Sequence, residues 1–249
     1  MITKLASALI VALALASGSL LAESVDELVK GADALDAKFQ TEEALAVYLE
    51  ANKREPNNAE ILHRIAKEYG LSMNDVSGKE AKREKGLKAL EYAKQAVKAD
   101  PNNALAQLAL AISYGRVAEL LDNKTKIEYS KKIEEHAEKS RALDPKNALT
   151  YYVLGAWNYE LANLSPVVRA VAKMVYGSLP PASNEKAIEY LEKAIALDPS
   201  RIGSHVDLGR AYLAAGQKEK GRAELMKALE MPNREKDDDA AKAKARAAL

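Results

Sequence analysis

Residues 202–232 read IGSHVDLGRAYLAAGQKEKGRAELMKALEMP, and this stretch decides the fold. Leu208, Gly209 and Tyr212 fall at helical spacing before Gly216 stops the run. A second helical run then reaches Pro232, which cannot continue a helix. Two short helices joined at a glycine make a hairpin. The small residue at Gly209 lets the pair approach closely, with Tyr212 filling the space one turn on.

Reading outward, the chain punctuates itself in the same way. Glu55-Pro56-Asn57-Asn58, Asp100-Pro101-Asn102-Asn103, Asp144-Pro145-Lys146-Asn147 and Asp198-Pro199-Ser200 each close a helical run. Asn58, Asn103 and Asn147 then stand where the next helix needs an N-cap. Counted back from the prolines, small or apolar residues recur at −12, −8 and −5: Ala44, Tyr48, Ala51; Ala89, Ala93, Ala96; Ile133, Ala137, Ser140; and Ala187, Leu191, Ala194. That spacing puts them on one face of the second helix of each hairpin. The first helices carry Leu28, Ala32, Leu35; Leu62, Ala66, Tyr69; Leu110, Ala111, Tyr114; Tyr151, Leu154, Gly155; and the 208–212 set. These residues resemble the tetratricopeptide repeat, a helix–turn–helix unit of about 34 residues. The resemblance implies an all-α, right-handed superhelical array of about five tetratricopeptide-like hairpins over 23–232. A polar capping helix or tail follows at 233–249.

Successive prolines lie 45, 44 and 54 residues apart, so units two to four carry insertions between their helices. Ser72–Lys85 and Asp122–Lys132 are mostly charged and read as lengthened helices with a solvated loop. The third insertion differs in kind. Ser165-Pro166 is a helix start, with Ser as N-cap and Pro at the first helical position. Val167, Val168, Ala170, Val171, Met174 and Val175 then make most of the helix perimeter apolar, with Arg169 and Lys173 on one polar edge. Such a helix must be covered by protein, lipid or ligand.

Function classes narrow by composition. Lys plus Arg number 37 against 36 Asp plus Glu, which gives no whole-chain case for nucleic acid. There are no cysteines, hence no disulfides, no zinc–cysteine site and no thiol nucleophile. His63, His136 and His205 lie far apart, and no nucleophile elbow or phosphate-cradling glycine loop occurs. No catalytic residue, cofactor or metal is expected. Met1–Ala22, with Lys4 ahead of the apolar run Leu5–Leu15, has the layout of a secretory signal peptide, predicting an exported, periplasmic protein. An uncleaved N-terminal anchor is the alternative.

Gly155 to Ser165 (GAWNYELANLS), the apolar helix, Tyr176-Gly177, Pro180-Pro181 and Ala187 are similar to the signature of the regulator of microtubule dynamics protein family. The resemblance implies an adaptor role. Animal members are linked to microtubules and organelle contact sites, and one to phospholipid binding and transfer. An exported chain would not meet tubulin, whereas binding of an apolar or amphipathic ligand survives a change of compartment.

Repeat positions facing the concave side predict a groove lined by Leu105, Leu108, Ile112, Leu149, Tyr152, Tyr159, Val206 and Arg210. This groove is mostly apolar, so its expected occupant is a protein segment; the alternative is a phospholipid or other apolar ligand under helix 166–176 as a lid. In that case Val168, Arg169, Val171, Lys173 and Val175 are the working face, and membrane contact is possible without a spanning segment. At the other end, Glu23–Glu60 carries ten acidic residues against four basic ones, read as an acidic solvated cap or a surface for a basic partner.

Overall fold

The computed structural model describes residues 23–176 and 181–249; both readings of residues 1–22 lie outside them. Among the described residues there are twelve α-helices and no strand. In chain order they are α1 (Val25–Asp36), α2 (Thr41–Arg54), α3 (Ala59–Ser72), α4 (Lys79–Ala99), α5 (Ala104–Ala118) and α6 (Asn123–Leu143). Then come α7 (Ala148–Ala162), α8 (Pro166–Tyr176), α9 (Asn184–Leu197), α10 (Ile202–Ala214), α11 (Lys218–Glu230) and α12 (Asp238–Ala248). The hairpins are α1/α2, α3/α4, α5/α6, α7/α9 and α10/α11, with α8 inserted in the fourth. None of these helices is long and apolar enough to cross a membrane.

The boundaries follow from local chemistry. Asn58, Asn103 and Asn147 cap α3, α5 and α7, each side-chain oxygen accepting from backbone N–H groups of the first turn. The insertions of units two and three lengthen their second helices, so α4 and α6 run 21 residues each. Asp122 caps α6 through the N–H groups of Lys124 and Thr125. Ser165 caps α8 as expected, its hydroxyl accepting from the Val168 N–H.

All but Ile133 of the twelve recurring second-helix residues are buried. The core is a string of clusters, each tying one hairpin to the next. Leu28, Ala44, Tyr48 and Ile65 join units one and two; Ala66, Leu90, Leu110 and Val117 join two and three. Ala111, Ala137 and Leu154 join three and four; Leu191, Leu208 and Tyr212 join four and five. This is the nearest-neighbour packing of a repeat array. In the last hairpin a Cβ on Gly209 would lie 2.9 Å from the Gly221 carbonyl oxygen, so α10 and α11 touch backbone to backbone.

First helices also pack on one another, α3 on α5, α5 on α7 and α7 on α10, whereas second helices meet only through long side chains such as Lys85 with Glu42 and Tyr190 with Glu138. The first helices therefore form the inner, concave layer and the second helices the outer one. Two helices stand outside this scheme. α8 packs against α6 in the outer layer, and α12 lies on α10 and α11, where a sixth first helix would begin.

Candidate functional site: the concave face and its C-terminal strap

The acidic end of the inner layer is met within the chain. Asp33 accepts hydrogen bonds from Tyr48 Oη at 2.5 Å and Arg64 Nε at 3.1 Å. Asp36 pairs with Lys67 Nζ at 2.5 Å. Unit two supplies the cations that unit one's carboxylates need.

From the other end, the segment before α12 crosses the concave side. Glu235 pairs with Arg201 at the start of α10, Nη2 to Oε1 at 2.6 Å. Lys236 Nζ donates to Thr41 Oγ1 at 2.7 Å and pairs with Asp75 at 2.5 Å, at the start of α2 and just after α3. Asp237 accepts from Arg116 Nη2 of α5 at 2.5 Å and from the Asn74 amide. Three consecutive side chains thus tie the tail to units one, two, three and five. Burial works against the Asp237 carboxylate, yet Arg116 and Asn74 outweigh it and hold its pKa below the ordinary value. For Glu235 burial wins over Arg201 and pushes the carboxyl up.

Beside the Lys236 ammonium lies Glu68 of α3, fully buried, with neither carboxylate oxygen in a hydrogen bond. Burial first, and the nearby Asp36 second, push it up to about 7, while Lys67 and Lys236 pull the other way. A second polar group sits at the α7–α10 seam. Tyr152 rests on Gly203, and the Asp207 carboxylate raises its phenol. Asp207 in turn accepts from Arg210 Nη1 at 2.8 Å, and the Arg210 guanidinium lies over the Tyr159 ring, 4.5 Å from its centroid.

The expected groove residues therefore meet different fates. Leu105 is exposed, and Ile112, Leu149, Tyr152, Tyr159 and Arg210 are half-buried on the inner layer. Leu108 and Val206 do not line an open groove: both are buried, and Val206 packs with Ile202, Leu225 and Ala228 against Ala245 of α12. What remains open nearby is a cleft of about 320 Å³ between Glu160, Arg210 and the end of α12 at Lys244, Ala247 and Ala248.

The lid expectation is corrected. α8 lies on α6, a second helix, and so does not cover the concave side. Val168 and Val171 are half-buried, and Ala172 is fully buried. Arg169 donates to the Ala162 carbonyl at 2.9 Å, Lys173 is exposed, and the side chain of Val175 lies outside the described ones. Val167 and Met174 remain 71% and 85% exposed.

The histidines have structural partners: His205 Nδ1 meets Glu224 at 2.6 Å and His136 Nδ1 meets Gln107 at 2.7 Å. No group of three or more His, Asp or Glu side chains is placed to hold a metal ion among the described residues. Sequence reasoning missed Glu235, Lys236, Asp237, Glu68 and Arg116. Glu68 carried a signal, a lone acid amid the apolar face of α3; the tail carried none, since its partners lie up to 195 residues away.

The fold belongs to the tetratricopeptide class. The crystal structure of a thermophilic TPR protein from Thermus thermophilus superimposes with a TM-score of 0.63 at 20% identity, covering 90% of this chain and all (100%) of that one. The chain is a member of the regulator of microtubule dynamics protein 1-3 family, whose model matches residues 21–249. Regulator of microtubule dynamics protein 1 from Pongo abelii is 30% identical over 216 residues, spanning 86% of this chain and 68% of that protein. The Caenorhabditis elegans protein of the same name is 26% identical over 206 residues, spanning 82% and 91%.

Proposed function

We propose that this protein is a non-catalytic scaffold that holds a helical segment of a partner protein along its concave face, over α5, α7 and α10. The observation that carries the reading is α12. Its small-residue face, Ala241, Ala245 and Ala248, packs on Ile202, Val206 and Leu213 of α10 and on Leu225 and Ala228 of α11, so the last hairpin accepts a further helix. Helix-in-groove recognition needs such a wall and polar groups at its rim to set register; Tyr159, Glu160 and Arg210 stand at that rim. A photo-crosslinker at Leu105 or Ile112, used in the native compartment, should capture one defined protein segment. Crosslinks arising only from an outer-layer control such as Lys139 would sink the reading.

A second reading has its own observation. Val167, Ala170 and Met174 of α8 are exposed beside Lys173, a face suited to a lipid surface. Flotation with anionic vesicles tests it, and flotation unchanged by Val167→Ser with Met174→Ser would remove it.

A further inference from the structure

We propose that the C-terminal segment, residues 233–249, is a displaceable occupant of the concave face, and that the partner segment displacing it presents a lysine followed at once by an acidic residue. The inference rests on the scaffold reading and extends its site to the ends of α1, α3 and α5.

The hold on residues 235–237 is polar. Glu235, Lys236 and Asp237 are gripped by Arg201, by Asp75 with Thr41, and by Arg116 with Asn74. α12 gives the apolar cluster of Ile202, Val206, Leu225 and Ala228 only alanines, Ala245 alone of its apolar side chains being fully buried. The connections of hairpin one to two, two to three and four to five bury Leu, Ile or Tyr from both sides. Ion pairs at half-exposed positions hold less firmly than such clusters and weaken with salt, so the tail is the element that opens first.

The segment also keeps its own shape. Asp238 accepts from the N–H groups of Arg234 and Glu235, both at 2.7 Å.

What it leaves behind is chemically specific. With Lys236 gone, Asp75 loses its ammonium, Asp36 and Glu68 keep Lys67 beside them, and Glu68 already lacks a hydrogen-bond partner. That socket requires an ammonium. Arg116, released from Asp237, requires a carboxylate one residue further on.

The test uses full-length protein and a labelled synthetic peptide of residues 233–249. Full-length Lys236→Glu with Asp237→Lys, its own tail loosened, should bind the wild-type peptide at least tenfold more tightly than the wild-type chain does. Binding should vanish when the peptide carries the same exchanges. Equal affinity of the two chains, or no binding by a variant that keeps its helicity, would overturn the proposal. Should the variant fold poorly, amide exchange in the wild-type chain decides: α12 should exchange at least tenfold faster than α10, and faster still in high salt. Identical protection of the two helices would make α12 a fixed part of the fold. Failure here with inner-wall crosslinks intact refutes only the displacement; peptide binding without such crosslinks refutes only the external partner.

Discussion

α8 and α12 are the two helices that the repeat pattern does not require, and they exchange the places their compositions suggest. α8 is apolar on most of its surface, yet it lies on the outer layer with Val167 and Met174 in solvent. α12, rich in Ala, Lys and Asp, closes the array on α10 and α11 with Ala245 fully buried. Small side chains let α12 pack closely on the last hairpin, and Arg116, Asp75 and Arg201 supply charges that suit the polar segment before it.

The comparison can be broken from the wall side. Leu208→Ala removes a side chain packed against Leu191 and Tyr212, under the hairpin that carries α12. It should cost about 2–5 kcal/mol in urea unfolding, as buried leucine truncations do. Ala245→Glu places a carboxylate among Ile202, Val206 and Leu225. A loss of about 1–3 kcal/mol is expected, limited by release of α12, which faster amide exchange in residues 238–248 would report.

Glu68 sharpens it through pH. Its folded pKa of about 7 lies above the ordinary 4.5, so the folded chain binds the extra proton between those values. Stability should therefore fall as pH rises through that window, by on the order of 1–2 kcal/mol. Glu68→Gln should flatten the profile, as read from melts between pH 4.5 and 8. The smallest effect belongs to α8: Val167→Ser with Met174→Ser should stay within about 0.5 kcal/mol of wild type.

Much of this was legible in the chain. Pro56, Pro101, Pro145 and Pro199 with their following Asn or Ser marked the hairpin ends, because helix termination and capping depend on neighbours within a few residues. The start of α8 at Pro166 was readable for the same reason. The groove was only half legible. Position in the repeat put Leu108 and Val206 on the concave face, but burial also depends on what packs above, and for Val206 that is α12.

By itself, then, the sequence determined the helices, their pairing into hairpins and the small-residue seams between them, all set by local capping and periodic side-chain size. Tertiary structure alone decided what lies on the concave face. The ties from Lys236 to Thr41 and from Asp237 to Arg116 join residues 195 and 121 positions apart. No local pattern encodes such pairs, since they exist only once the curvature of the whole array has brought its last segment back across its first three units.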